Sequence, residues 1–183
     1  MTLLKKTITL AAVAAVGLGS FAAQASETIK VGDINHYKRL AFLAQPYKKG
    51  LDLAVSEINA DGGVLGKPLE IIYRDDQGKP GEAVKIAEEL MTRDGTVMLT
   101  GTILSNVGLA ISSYAAEKKY LYLAAEPLAD ALVWAKGNEY TFRLRPSTYM
   151  QAAMLAEQAA KDPAVKYATI APNYAYGKDA VAA

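Results

Sequence analysis

Apolar and polar positions alternate along this chain in two rhythms, and the rhythm changes repeatedly. Short apolar runs at Thr28–Ile34, Leu69–Tyr73, Val97–Thr100, Tyr120–Ala124, Tyr140–Leu144 and Tyr167–Ala171 read as buried strands. Between them the period lengthens to that of a helix. Leu51, Ala54, Val55 and Ile58 form one face of a helix over Tyr47–Asn59, which Asp61-Gly62-Gly63 ends. Pro80 opens a second helix carrying Ala83, Ile86, Ala87, Leu90 and Met91. A third spans Ser105–Glu117, with Leu109, Ala110, Ser113 and Ala116 expected inward. Met150–Lys161 is a fourth, and a fifth starts near Lys178. Strand–helix–strand repetition predicts an α/β fold with a mainly parallel sheet covered on both faces by helices.

The first residues break this pattern. Lys5 and Lys6 precede an apolar run from Ile8 to Leu18, and Ala23-Gln24-Ala25 follows as a small-x-small cleavage site. That order predicts an export signal over residues 1–25, cleaved after Ala25. The run is shorter than the ~20 residues a spanning helix needs, so no stable membrane anchoring is expected after cleavage. Cleavage shifts the formal net charge from +1 to −1. So balanced a charge gives no footprint for nucleic acid. The chain has no cysteine, which excludes disulfides, thiol nucleophiles, cysteine-ligated zinc and a lipidated cysteine.

In an open parallel sheet, ligands bind beyond the carboxyl ends of the strands. This nominates the loops at 35–37, 75–77, 101–106, 125–128, 145–149 and 172–177. In Gly101-Thr102-Ile103-Leu104-Ser105-Asn106 a strand passes into a helix whose start suits a carboxylate; Ser105 there is also a natural N-cap. Tyr37, Tyr149, Tyr174 and Tyr176 offer apolar area with a hydroxyl, and two of the four are expected in a cleft. Asp75 and Asp76 read as a solvated loop bonding its own backbone, without the ligand spacing of a calcium loop. His36 is the single histidine and reads as a surface or cleft-lining residue. Neither a G-x-S-x-G elbow, an H-E-x-x-H helix, a P-loop nor a G-x-G-x-x-G turn occurs. A non-enzymatic protein without metal or cofactor is therefore expected.

The stretch Glu57-Ile58-Asn59-Ala60-Asp61-Gly62-Gly63-Val64-Leu65-Gly66-Lys67-Pro68-Leu69-Glu70 closely resembles a signature of the leucine/isoleucine/valine-binding protein family, the type I periplasmic binding proteins of ABC transporters. Tyr73-Arg74-Asp75-Asp76, the Gly101–Ser105 loop, Arg143–Gln151 and Tyr176-Gly177 follow in the family's order, from about Ile29 to the end. The resemblance implies a two-lobed clamp closing on a small-molecule ligand by hinge motion, and a membrane permease as partner. It implies a first lobe over residues 26–146, and a hinge crossing with the incomplete start of a second lobe over 147–183. A chain ending inside a helix is expected to be a fragment, and one with most of the second wall missing is expected to bind weakly.

Carried over by position, the resemblance gives Ser105, with nearby amides including that of Asn106, to a ligand carboxylate, and Tyr176 to ligand contact from the second lobe. Thr148 stands where amino-acid binders carry an aspartate for the ammonium group, and Leu128 where they carry a threonine. The first loop, Asp33-Ile34-Asn35-His36-Tyr37, departs from the family's small residues. Losing the acid removes the charge-assisted bond that favours an ammonium. The implied ligand is then a carboxylate without an α-amino group, aromatic or otherwise, unless Asp33 or Glu126 replaces the lost acid. The expected binding set is Tyr37, Ser105, Asn106, Glu126, Leu128, Thr148, Tyr149 and Tyr176. A sensory ligand-binding domain of the same fold is the alternative reading.

Overall fold

The computed structural model describes residues 27–161 and 166–183, so the expected signal over 1–25 lies outside the described residues. Five strands form one parallel sheet: β1 (Ile29–Asn35), β2 (Leu69–Asp75), β3 (Met98–Gly101), β4 (Tyr122–Ala124) and β5 (Thr141–Arg143), in the order β2-β1-β3-β4-β5. Five helices accompany them: α1 (Ala41–Ala60), α2 (Pro80–Thr92), α3 (Ser105–Lys118), α4 (Thr148–Ala159) and α5 (Ala175–Ala182). A 3₁₀ turn covers Asp130–Leu132.

Side chains leave a strand on alternate sides, and β1 sorts the two layers. Ile34 points to the face covered by α2 and α3, where the core gathers Ala83, Ile86, Ala87, Leu90, Leu99, Val107, Ile111, Ala115, Tyr122 and Leu132. Gly32 also lies on that side, because a Cβ there would stand 2.8 Å from Leu90 Cδ1. Asp33 points to the opposite face, toward Tyr47 on α1. That face is thinly covered: of α1 only Ala44 is buried, and Phe42 is 73% exposed.

Three expectations need correction. The buried face of α3 is Ser105, Val107, Gly108, Ile111, Ser112 and Ala115, one position away from the expected Leu109, Ala110, Ser113 and Ala116. This helix is rich in small and apolar residues all round, so its tertiary neighbours choose the face. The helix expected from Tyr47 begins at Ala41 and carries Pro46 inside it. No strand forms at 167–171, where Ile170 is fully exposed and no neighbouring strand among the described residues offers a ladder.

Candidate functional site

The carboxyl ends of β3 and β4 open onto a cavity of about 140 Å³ lined by Leu43, Ile103, Ser105, Glu126, Leu128, Arg145, Tyr174 and Tyr176. Local backbone chemistry places these groups. Gly101 ends β3 at φ +102°, and a Cβ there would lie 2.1 Å from Ile34 O. Only glycine turns the chain at that point. α3 then starts with Ser105 as its first helical residue; the cap position is Leu104, which makes no side-chain bond. Ser105 is therefore not the N-cap. Its Oγ accepts hydrogen bonds from Leu128 N and Ala129 N, both at 3.2 Å, which leaves its proton available to a ligand. The 128–129 turn is held from below as well, by Arg143 Nη1 donating to Ala129 O at 3.0 Å and Thr148 N donating to Leu128 O at 2.9 Å. Leu128 is thus fixed against the cavity. On the other wall, Gly177 lies so close to Pro172 that a Cβ would stand 1.9 Å from its carbonyl oxygen. That contact folds the turn presenting Tyr174 and Tyr176, whose rings lie 5.9 Å apart.

Glu126 and Arg145 are the charged members. Burial raises the Glu126 pKa, and the Arg145 guanidinium opposes that rise. The arrangement offers a cation, a hydroxyl proton and a helix start for a carboxylate, apolar and aromatic walls for its body, and one acid for a polar group.

Of the expected residues, Ser105, Glu126, Leu128 and Tyr176 line this cavity together. Of the four tyrosines, Tyr174 and Tyr176 reach it. Tyr37 does not: its hydroxyl donates to Asp33 Oδ1 at 2.5 Å, and its ring packs edge-on against Tyr73. Asn106 is half-buried on α3, away from the lining, with Oδ1 buried and unpartnered. Thr148 is buried, and its hydroxyl donates to Asp130 Oδ2, which also accepts from Tyr149 N at 2.9 Å. Asp130 and the true N-cap, Ser147, thus occupy the donors at the start of α4. Tyr149 packs at a tilt against Trp134, with ring centroids 5.5 Å apart, and lines a different cavity of about 380 Å³ between the 3₁₀ turn and α5. The acids there, Asp130 and Asp179, already accept bonds from the protein. Larger though it is, it reads as a joint between elements.

Asp33 is sealed. Both of its oxygens accept tyrosine hydroxyls, Tyr37 and Tyr47 (2.6 Å), and none of its surface is exposed. Burial raises its pKa to about 6 despite those two donors. Glu126 is therefore the acid within a ligand's reach. Arg145, Leu43, Ile103 and Tyr174 were absent from the expected set. Arg145, Ile103 and Tyr174 lay in nominated loops, whereas Leu43 comes from α1, which no loop rule examines.

Comparison with known proteins agrees with this architecture. The profile of the family described as "Periplasmic binding protein" matches residues 39–183, and the chain belongs to that family. The Leu/Ile/Val-binding protein homolog 3 of Brucella melitensis biotype 1 is 29% identical over 171 residues, covering 92% of this chain and 46% of the relative. The chain thus spans about half the length of the curated relatives it matches. A substrate-binding protein of an ABC transporter from Desulfitobacterium hafniense, solved in complex with Leu, superposes with a TM-score of 0.74 at 25% identity, covering 85% of this chain and 45% of that one. A solute-binding protein of an ABC transporter from Rhodopseudomonas palustris BisB5, in complex with 3,4-dihydroxybenzoic acid, gives 0.77 at 24% identity, with coverages of 85% and 42%, and shares the fold. Among the described residues, no helix is long and apolar enough to cross a membrane.

Proposed function

We propose that this protein is the periplasmic solute-binding component of an ABC transporter, and that it captures a small carboxylate-bearing ligand, aromatic or otherwise lacking an α-amino group, for delivery to a membrane permease. The observation that carries the reading is the convergence of Arg145, the free proton of Ser105 and the start of α3 on one cavity walled by Tyr174, Tyr176, Leu128 and Ile103. A carboxylate bonded to a guanidinium and a hydroxyl is held by charge-assisted bonds, and flat aromatic walls suit a flat body. The position expected to hold an ammonium, Thr148, is committed to Asp130, which weakens the case for an α-amino acid. Glu126, the other charged member of the lining, would accept a hydrogen bond from a ligand hydroxyl. A thermal-shift series tests this: benzoate and hydroxybenzoates raise the melting temperature of the intact protein, and leucine does not. Stabilisation by leucine with the benzoates inert overturns the ligand class.

A further inference from the structure

A second group of chemically capable side chains stands at the same edge of the sheet, around the ends of β1 and β2. His36 follows β1 and is 5% exposed. Asp75 ends β2, and Asp76, fully buried, follows it. His36 Nδ1 lies 3.4 Å from Asp76 Oδ1 and 3.8 Å from Asp75 Oδ1. Yet Nδ1 has no hydrogen-bond partner, and neither does Asp76 Oδ2, although both atoms are buried. A buried nitrogen and a buried carboxylate oxygen left unpaired are costly, and such orphans require an explanation.

We propose that His36, Asp75 and Asp76 form a binding site for a divalent transition-metal ion of the zinc type, with an open position facing solvent. One donor atom from each residue can be chosen so that all lie within 4.8 Å of one another. Two donors held about 2.1 Å from a tetrahedral zinc stand about 3.4 Å apart, close to the separations seen here. One imidazole with two carboxylates is a donor set for zinc rather than for magnesium or calcium, which take oxygen alone. The carboxylates are already oriented by the backbone. Asp75 accepts from Gln77 N (2.8 Å) and Lys38 N (3.0 Å), and Asp76 Oδ1 accepts from Gly78 N (2.7 Å). Such bonds are what hold metal-binding carboxylates in place. An entry path exists, since His36 and Asp75 line a cavity of about 270 Å³ open to solvent. Lys38, Arg39 and Lys79 line the same cavity, and their charges oppose a cation, so the three donors must outweigh that repulsion. The two aspartates suggested only a self-bonding turn in the sequence because His36 follows β1, far away in the chain, and only the parallel pairing of Asn35 with Asp75 brings it alongside.

The test uses the full chain without a polyhistidine tag, so that His36 is the single imidazole. Zinc chloride is added while the imidazole proton resonances are followed by NMR, and stoichiometry is read by calorimetry. We expect one zinc per chain, a shift of the imidazole signals that saturates at that ratio, and no competition from a hundredfold excess of magnesium. His36→Gln abolishes the calorimetric signal, and Asp75→Asn, at the more exposed ligand, weakens binding at least tenfold. Unmoved imidazole resonances under saturating zinc overturn the proposal without reference to any variant. So does zinc binding that His36→Gln leaves unchanged.

Discussion

Replacing Asp33 by asparagine removes a negative charge from a site with no exposed surface while keeping the side chain's shape. In the native protein burial is the largest influence on this group and raises its pKa from 3.8 to about 6; the Tyr37 and Tyr47 hydroxyls pull the other way without cancelling it. The sign follows from proton counting. Between pH 3.8 and 6 the folded protein holds a proton on Asp33 that the unfolded chain has released, so folding stability falls as pH rises through that window and stays low above it. At about 1.4 kcal/mol for each pH unit of the gap, ionised Asp33 costs the fold about 3 kcal/mol at neutral pH. Asparagine resembles the protonated acid, so Asp33→Asn should match the native protein near pH 4 and exceed it by up to about 3 kcal/mol at pH 7.5. Urea denaturation followed by circular dichroism from pH 4 to 8 measures both curves. Acids that do not interact with Asp33 cancel in the difference between the two proteins; Asp76 and Glu126, which repel its charge, leave a smaller contribution. A difference that stays constant with pH refutes the burial argument. A variant less stable at pH 7.5 than at pH 4, relative to the native protein, reverses its sign.

Two further substitutions separate site from scaffold. Ser105→Ala leaves the part-buried amide of Leu128 and the buried amide of Ala129 without their shared acceptor; a loss of about 1–3 kcal/mol is expected by urea denaturation, together with weaker ligand binding. Leu90→Ala opens a cavity beneath Gly32 in the centre of the core, with an expected cost of about 2–5 kcal/mol by the same method and unchanged ligand preference.

The parallel α/β order was legible because every strand that pairs within the sheet is a short apolar run bounded by turn residues, and β1 through β5 fall within two residues of the expected spans. What escaped was decided by neighbours distant in the chain. The apolar pattern of α3 fits two faces equally, and Pro127 packed against Gly108 helps to choose one. The run at 167–171 has strand composition but no strand to pair with among the described residues. At the site, the loop rule reached Ser105, Glu126, Leu128 and Tyr176 because strand ends converge by topology. Thr148, carried over from the resemblance, and Tyr149 do not line this cavity, since nothing local reveals that Asp130, on the 3₁₀ turn, draws the start of α4 toward itself. Arg145 went unselected for a similar reason. A lone arginine in a loop acquires meaning only when Ser105 and Glu126 are seen beside it.

The central claim is that the Ser105–Arg145 cavity anchors a carboxylate. Isothermal titration of benzoate into the intact protein and into Arg145→Gln tests it most directly. Losing a charge-assisted bond of about 1.5–3 kcal/mol should weaken binding by roughly 10- to 100-fold, with folding stability unchanged because Arg145 is exposed. Benzoate affinity that is identical in the two proteins, or tight leucine binding with benzoate inert in both, contradicts it.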